Sequence, residues 1–450
     1  MTRVIEFLIA VLIVVALFVL FGLFLPSSRT VTHSIETNHP LRQVYDTING
    51  FERFPEWNPM RAHDPQVQLD VSGPRKGEGA RLEYISASDK VGSGSLEIAE
   101  SVEDTRVVIN AENDSYGSDK THSIELEESS SGKTLTITWS YEVDYGWNLL
   151  GRFAGLYVSR NVGDDMKRGL ANLAGLIATM PNFDYSKLEI GVTQVEPSSI
   201  LYVQSSSDRN ITAVQAAQDK ALKDIARVIE ANDLEQAGPP RLVTTNFGSE
   251  KYDFDVAIPV REPGAGDDTD ATDEAGEDAA AGDDETAAAA AAQAEQDALD
   301  AASSDDTWSA ADDDAAVAAP DPCAEPLQPA PAMEEPTLSG AVKFGPGYGG
   351  CALVAEYVGH PAALPLVRDM LRSYAASHGY EIHQRAFEEY LTPFEELEMG
   401  NAQFLVYWPV KHPSNPVPPV PPAAPQEAAA GEPAADADAA AEPVEDAQQQ

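Results

Sequence analysis

"VTHSIETNHPLRQVYDTINGFERFPEWNPM", residues 31–60, changes its pattern twice. Its first part belongs to the run "RTVTHSIETN", in which polar and apolar side chains alternate as they do in a β-strand. His39-Pro40 then introduces "LRQVYDTING", where apolar residues recur at helical spacing. The stretch ends in the aromatic turn Trp57-Asn58-Pro59. We therefore predict a first strand, a short amphipathic helix and a turn anchored by an aromatic side chain.

A series of short segments with period-two alternation follows this stretch. They are "VQLDV", "ARLEYIS", "GSLEIAESV", "RVVINAE", "THSIELEE" and "TLTITWSYEV", separated by Gly, Asp, Ser and Asn clusters. The series ends at a long amphipathic segment, residues 149–180, which predicts a helix. A short helix, an antiparallel meander and a long final helix allow a curved sheet to wrap that helix and to enclose a cavity.

This order of motifs resembles the polyketide cyclase/START-like (SRPBCC) superfamily. The resemblance covers residues 30–182 and is carried by the opening stretch with its "W-x-P" turn at Trp57-Asn58-Pro59. It implies a helix-grip fold with an apolar ligand cavity. Because the matching motifs are hydrophobic and structural, they specify the fold better than an activity.

The N-terminus predicts a membrane anchor. Residues 7–25, "FLIAVLIVVALFVLFGLFL", include no charged side chain, and a helix of this length crosses a hydrocarbon layer of about 30 Å. The run is longer than the apolar core of a signal peptide, and no small-x-small exit follows it. We assign residues 1–29 to a single transmembrane helix in a bacterial inner membrane, with the soluble domains on the periplasmic side.

A second unit contains a diverged repeat of strand, helix and strand. One copy spans residues 201–260 and closes at Ile258-Pro259-Val260, and the other spans 353–410 and closes at Trp408-Pro409-Val410. Duplicated units of this kind pair about a pseudo-twofold axis and leave a groove between them. The whole chain is therefore predicted to be an α+β protein.

The second unit resembles the GyrI-like small-molecule-binding domain, the effector-binding domain of certain multidrug-responsive regulators. The motifs that carry the resemblance are "GPPRLVTTNF" and "AIPV", then "ALVAEYVGHPAALPLVRDMLRSYAASHGYEI", "FEEYLTP" and "YWPV". It covers residues 187–261 and 339–411. Since no DNA-binding helix-turn-helix precedes the domain in this sequence, a regulator's role is not implied.

An acidic insertion separates the two halves of this domain. Residues 262–338 contain 23 Asp and Glu with no Lys or Arg, and residues 412–450 contain seven more. Such compositions bury too little apolar surface to offset the entropy of ordering, so both segments are predicted to be disordered. Without them the net charge of -45 becomes about -15, and no cationic cluster suggests nucleic acid as a partner. The two cysteines, Cys323 and Cys351, leave one optional disulfide open.

The candidate binding residues lie in the second unit. In "FEEYLTP", residues 387–393, strand alternation places Glu388 and Tyr390 on one face and Glu389 on the other. The GyrI-like resemblance implies that Glu388 enters the central groove, where a carboxylate beside aromatic walls attracts a planar cation. The alternative is a hydrated strand edge, and Glu389 is expected to be solvated in either case. Tyr357 and Trp408 are further candidates for lining the groove.

Catalytic and metal-binding patterns are not apparent in the sequence. His33, His39 and His63 lack metal-ligand spacing, and no catalytic triad or nucleophile elbow is visible. We therefore assign no metal, no cofactor and no catalytic residue. Arg152, Arg160 and Lys167 are expected to form the solvated side of the long helix.

These features favour a membrane-anchored protein that binds apolar or cationic small molecules, for sensing, sequestration or delivery. One alternative is a hydrolase or cyclase in which Glu388 acts as general base and Tyr390 as hydrogen-bond donor. Another is an envelope scaffold that recruits basic partners through its acidic segments. The absence of a catalytic constellation in the sequence makes us favour binding over enzymatic activity.

Overall fold

The computed structural model describes an apolar helix followed by two α+β units, each built on its own antiparallel sheet. The disorder predicted for most of the insertion and for the whole C-terminal tail lies outside the described residues. The described residues are 2–264, 322–324, 327–330, 333–392 and 400–411.

The N-terminal helix, α1, spans Thr2–Phe24 and exposes nearly all of its apolar side chains. The span from Arg3 to Phe24 is 22 residues long and contains an 18-residue window with a mean hydropathy of 3.3. At 1.5 Å per residue this length is about 33 Å, enough for a bilayer core of about 30 Å. Length and composition therefore meet the requirements of a membrane span and equally those of a signal sequence.

The first unit is a seven-stranded antiparallel sheet in the order β1-β7-β6-β5-β4-β3-β2, with a long helix packed on it. Its strands are β1 (Ser28–Thr37), β2 (Gln68–Ser72), β3 (Arg81–Ile85), β4 (Ser93–Val102), β5 (Arg106–Asn113), β6 (Ser118–Glu128) and β7 (Leu135–Asp144). Its helices are α2 (Leu41–Ile48), α3 (Phe54–Trp57), α4 (Met60–His63), α5 (Leu149–Ala154) and α6 (Val158–Ala178), with a 3-10 turn at Gly155–Tyr157.

The long helix α6 packs against the inner face of the sheet. Every second residue of β7 is buried, and the buried side chains of α6 recur at helical spacing, so the two periodic patterns meet in one core. Gly169 permits the closest approach, since a Cβ there would lie 2.7 Å from the ring of Trp139. The Trp57 ring packs edge-on against Trp139 at 5.6 Å between centroids. The predicted helix-grip arrangement is confirmed.

The second unit is a larger antiparallel sheet in the order β13-β9-β12-β11-β16-β17-β14-β8, with β10 paired to β12 and β15 to β17. Its helices are α7 (Ile211–Ala231) and α8 (Leu364–Ser377). Its strands are β8 (Ile190–Val195), β9 (Ser199–Asp208), β10 (Glu235–Gln236), β11 (Arg241–Phe247), β12 (Lys251–Arg261), β13 (Lys343–Pro346), β14 (Gly350–Gly359), β15 (Glu381–Ile382), β16 (Phe387–Tyr390) and β17 (Ala402–Lys411).

The sheet consists of two similar halves that meet at its centre. Equivalent strands of the two halves follow in the same order from the centre outward. One half runs β11, β12, β9 and carries α7, and the other runs β16, β17, β14 and carries α8. The innermost strands β11 and β16 are antiparallel neighbours, with Leu242 opposite Glu388. The groove between the halves therefore lies above this central pair of strands.

The last part of the acidic insertion contacts the second unit, although disorder was predicted for residues 262–338. Cys323 is fully buried and forms a disulfide with Cys351 of β14. Farther along, the Thr337 amide donates to Asn232 Oδ1 at 2.7 Å. The described part of the insertion is thus fixed by one covalent link and by backbone contacts, which its acidic composition does not reveal.

The two units contact each other through α2 and α8. Gln43 Nε2 donates to Ser373 Oγ at 2.9 Å, and both side chains are buried. The Tyr185 hydroxyl donates to Asp46 Oδ2 at 2.8 Å. Because α8 also borders the central groove, one helix serves both the groove and the contact between the units.

Candidate functional site

A cavity of about 350 Å³ lies between α7 and α8, above the central strands β11 and β16. Its walls are mostly apolar and aromatic, and polar side chains reach it from both helices and from the sheet. The side chains that line it include Gln218, Leu242, Phe247, Tyr252, Arg368, Glu388 and Tyr390.

Glu388 and Tyr390 face this cavity together because β16 is a regular strand. Its neighbours on both sides, β11 and β17, hold its backbone in an extended conformation, so alternate side chains point to the same face. Phe387 belongs to the opposite face, where its ring stacks on Tyr407 at 4.7 Å between centroids. The carboxyl group of Glu388 is completely removed from solvent.

Glu388 forms a buried ion pair with Arg368 of α8. Arg368 Nη1 lies 3.0 Å from Glu388 Oε1, and the same guanidinium also donates to Thr244 Oγ1. Burial raises the pKa of the Glu388 carboxyl, and the neighbouring Arg368 offsets part of this rise. Glu388 Oε2 is buried as well, and it accepts no hydrogen bond from the described residues. One oxygen of the carboxyl is thus paired with Arg368, while the other is a buried acceptor without a donor, on a residue that lines the cavity.

Tyr390 is held by a second polar contact, from α7. Gln218 Nε2 donates to the Tyr390 hydroxyl oxygen at 3.0 Å, and both side chains are buried. Burial, together with the charge of Glu388, raises the pKa of the Tyr390 phenol well above its ordinary value. The phenol therefore stays protonated near neutral pH. Each helix thus contributes one polar side chain that fixes one of the two cavity-facing groups of β16.

Tyr357 and Trp408, the other two predicted groove residues, are not among the described residues that line this cavity. The Tyr357 ring stacks on Phe404 at 6.0 Å between centroids, and its hydroxyl donates to the His360 carbonyl. The guanidinium of Arg372 lies over the Trp408 ring at 5.9 Å. Both aromatic residues belong to the packing of the β14–β17 half.

The expectation that Glu389 is solvated was wrong. Glu389 is only 6% exposed, because β16 is a central strand whose two faces are both covered. Arg241 Nε donates to Glu389 Oε1 at 2.8 Å, and the Tyr407 hydroxyl donates to Oε2 at 3.1 Å. Both glutamates of "FEEY" are therefore buried, each with its own arginine on its own face of the sheet.

The sequence analysis did not identify Arg368 or Gln218 as site residues. A signal for Arg368 was present, because Leu364, Val367 and Leu371 define the buried stripe of α8 and residue 368 falls within it. An arginine on an apolar stripe needs a buried acceptor. Gln218 lies in the same way among the buried residues of α7.

The first unit has a smaller cavity, of about 190 Å³, between α4, α6 and the sheet. His63 Nε2 lies 2.8 Å from Asp165 Oδ1 at its edge. Deeper inside, the Trp139 indole donates to His122 Nδ1 at 3.1 Å, and burial lowers the pKa of His122 to about 4. In the part of the chain that the structure describes, no three His, Cys, Asp or Glu side chains are grouped as metal ligands.

Comparison with known proteins identifies the first unit. The family profile described as "Polyketide cyclase / dehydrase and lipid transport" matches residues 28–178. Residues 28–178 are therefore a polyketide cyclase/START-like domain. A search of curated proteins found no match to the chain.

Several solved structures are similar to parts of the chain. A START superfamily protein from Mycobacterium smegmatis is 12% identical, with 32% of this chain and 94% of that one covered and a TM-score of 0.25. Norcoclaurine synthase from Thalictrum flavum, solved with dopamine and hydroxybenzaldehyde, is 10% identical, with 34% and 87% covered and a TM-score of 0.27. The EcmrR C-terminal domain is 10% identical, with 50% and 98% covered and a TM-score of 0.29.

Proposed function

We propose that this chain is a membrane-anchored binding protein for apolar or cationic small molecules, and that the cavity between α7 and α8 is its main binding site. The observation that carries the proposal is the buried, unsatisfied Glu388 Oε2 at the wall of an apolar cavity of about 350 Å³. A buried acceptor without a hydrogen-bond donor lowers the stability of the folded state. A ligand that enters the cavity with a donor group removes that cost.

The chemistry of the walls favours a planar cation over a neutral ligand. A cationic donor forms a charge-assisted hydrogen bond with the carboxylate, which is stronger than a neutral one. The rings of Tyr252 and Tyr390 line the same space, and aromatic faces attract positive charge. The guanidinium of Arg368 repels the positive group of a ligand. That group is therefore expected near Oε2 of Glu388, away from the guanidinium.

The GyrI-like resemblance supports this assignment from the sequence side. Its "FEEY" motif supplies the two cavity-facing groups, and the two similar halves of the sheet meet where the resemblance implies a groove. The START-like domain provides a second, smaller cavity for apolar ligands. The two domains together would bind or transfer small molecules close to a bilayer.

Two features support an anchored chain whose domains lie outside the cytoplasm. The helix α1 is long and apolar enough to span a membrane. The disulfide between Cys323 and Cys351 is of the kind that persists in oxidising compartments such as the bacterial periplasm. The proposed location is the periplasmic face of a bacterial inner membrane.

The proposal is tested with the full chain in lipid nanodiscs and two probes of similar shape. Ethidium is a planar cation, and phenanthridine is the neutral parent ring. We expect saturable ethidium binding that weakens about tenfold to a hundredfold in Glu388→Gln, as for the loss of one hydrogen bond to a charged group. Phenanthridine binding should change little in the same variant, because it lacks the charge that the carboxylate attracts.

Glu356→Gln is the matched control, because Glu356 is exposed on β14, which β17 separates from β16, and is absent from the cavity wall. It makes the same change of charge in the same domain and should leave both affinities unchanged. Equal loss of ethidium binding in both variants would indicate a general electrostatic effect. No saturable binding by the unaltered chain would remove the cavity as a binding site.

One observation favours the enzymatic alternative. The raised pKa of Glu388 brings its carboxyl closer to the range in which a general base works, and the protonated Tyr390 lies beside it as a donor. In that case the carboxylate would activate water against a reactive electrophile bound in the cavity. Turnover of such an electrophile would be lost in Glu388→Gln, and turnover that persists in this variant would exclude the mechanism.

A further inference from the structure

The exposed apolar side chains of the START-like domain are concentrated at one end of its sheet. We call this the anchor end, because β1 begins there directly after α1, and β7 ends there opposite Ser28. Within residues 28–178, which the structure describes without a gap, six of the eight exposed large hydrophobic side chains are near this end. They are Ile85, Tyr116, Trp147, Leu150, Leu156 and Tyr157, whereas Val71 and Val102 lie at the far end.

Four of these side chains come from one short segment, residues 147–157, and we call them the anchor-end patch: Trp147, Leu150, Leu156 and Tyr157. Trp147 is 84% exposed and Tyr157 is 61% exposed, which is costly for large aromatic side chains in water. The only charged residue between positions 147 and 157 is Arg152. Exposed patches of this kind mark surfaces that another apolar phase covers.

The patch is attached to the end of the apolar helix. The ring of Phe153 stacks on Phe18 of α1 at 4.3 Å between centroids. Gly22 of α1 lies against Leu149 and Phe153, where a Cβ would be 3.2 Å from either side chain. The short helix α5 therefore packs beside the last turns of α1.

Arg152 fixes this arrangement, although it was expected to be solvated. Its side chain is largely buried, and Nη1 donates to the Leu25 carbonyl at 3.1 Å and to the Leu23 carbonyl at 3.4 Å. Helix ends leave such carbonyls without intrahelical partners, and a cation there also complements the helix dipole. The guanidinium thus holds α5 against the C-terminal end of α1.

The contact between Phe153 and Phe18 fixes the depth of α5 along the helix α1. Phe18 precedes Phe24 by six residues, so the contact with Phe153 lies about 9 Å inside the end of α1. Amphipathic segments that lie in a membrane surface bury their apolar face by about 5–10 Å. If α1 spans the hydrocarbon layer, α5 and the adjoining turn lie at the boundary between the acyl chains and the headgroups.

We infer that the anchor-end patch inserts into the outer surface of the bilayer and docks the START-like domain on the membrane by one fixed face. The inference rests on the proposed membrane anchoring. Trp and Tyr are the side chains that membrane interfaces favour, and the patch presents one of each. Because the one charge between positions 147 and 157 is occupied by backbone carbonyls, we expect apolar burial to drive the insertion.

The inference is tested by depth-dependent quenching with the full chain in phosphatidylcholine vesicles. Single cysteines are introduced as Leu150→Cys and Tyr157→Cys in the patch and as Val102→Cys at the far end. The native disulfide is kept oxidised, and each new thiol carries a nitrobenzoxadiazole dye. Since the strands are up to ten residues long, the two ends of the sheet are about 30 Å apart. Nitroxide lipids labelled near the headgroup should quench the patch dyes at least about threefold more than the far-end dye.

A fourth variant, Val11→Cys in the middle of α1, separates this inference from the proposed anchoring. Deep nitroxides that quench at position 11, with Leu150→Cys and Tyr157→Cys behaving like Val102→Cys, would show an anchored chain whose patch faces water and would overturn the inference. No quenching at position 11 would overturn the anchoring and the docking together. Quenching of the patch that requires phosphatidylglycerol would also overturn it, because headgroup charge would then be the cause.

Discussion

Replacing Arg368 by methionine tests the buried ion pair beneath the cavity. The side chain keeps most of its length, so the packing of α8 changes little, but the Glu388 carboxyl loses the guanidinium 3.0 Å from its Oε1. With an effective dielectric constant of about 20, two unit charges at that distance attract each other by about 5 kcal/mol. Removing one partner of a buried pair costs about 3–5 kcal/mol, because the other charge is left uncompensated. We expect Arg368→Met to lower the free energy of unfolding by this amount at neutral pH.

The loss should depend on pH in a defined direction. Burial already raises the pKa of Glu388, and removing Arg368 raises it further, because the arginine is the group that lowers it. In the folded variant the carboxyl therefore takes up a proton at a higher pH than in the unfolded chain. Stability relative to the unaltered protein is lowest above the folded pKa and is regained as the pH falls through it.

The assay is urea unfolding of the full chain in detergent, with the disulfide intact and tryptophan fluorescence as the signal. Arg372→Met is the matched control: its guanidinium lies on the same helix, is about half exposed and pairs with Asp369 at the surface. It should cost less than about 1 kcal/mol. The double variant Arg368→Met/Glu388→Gln should recover about 2–3 kcal/mol relative to the sum of its single changes. Equal costs for positions 368 and 372, with additivity in the double variant, would refute a desolvated pair and would indicate a hydrated cavity.

Three further predictions concern stability, each measured by urea unfolding. Cys351→Ser opens a link to Cys323 across 28 residues and should cost about 3–4 kcal/mol, a difference that disappears when both proteins are reduced. Burial lowers the pKa of His378 to about 4. The free energy of unfolding should therefore be highest above the unfolded pKa of about 6.5 and should fall by about 3 kcal/mol as the pH decreases towards 4. His378→Gln should reduce this dependence on pH. Within α6, Gly169→Ala should destabilise because its Cβ would meet a core tryptophan ring at 2.7 Å, whereas Gly175→Ala, with nothing within 4 Å, should stabilise by about 1 kcal/mol.

The parts of the fold that the sequence predicted are those with short-range causes. The alternation in β7 depends only on which side chain follows which, and the predicted strand has the expected period of two in its burial. The shared face of Glu388 and Tyr390 follows from the same geometry within four residues. The helix-grip architecture follows because these local periods occur in an order that permits one curved sheet around one helix.

The burial of Glu389 has a long-range cause, and therefore the sequence did not predict it. Whether a four-residue strand is an edge or a centre depends on its neighbours, and here β16 lies between β11 and β17. Its partner Arg241 is 148 positions away in the chain. The disulfide likewise depends on a long-range contact that the sequence did not predict. Cys323 follows an acidic stretch whose composition predicts no contact with the folded domain.

The asymmetry of the cavity follows from divergence between the two halves of the sheet. In one half the side chain of Asn210 caps α7, and in the other the side chain of His360 caps the 3-10 turn Pro361–Ala363 that leads into α8. Counted from these caps, Gln218 and Arg368 both occupy the eighth following position, so the two halves present one polar side chain each at equivalent places.

The central strands differ more than the helices do. In the antiparallel pair of β11 and β16, the position opposite Glu388 is the apolar Leu242. A symmetric pair of glutamates there would place two carboxyls in one desolvated space, and each would raise the pKa of the other until one was neutral. With a leucine opposite it, the single carboxyl needs only one arginine, and its second oxygen remains at the cavity. The duplicated sheet thus gives the cavity an acidic side chain on one central strand and an apolar side chain on the other, which suits a ligand that has a charged end and an apolar body.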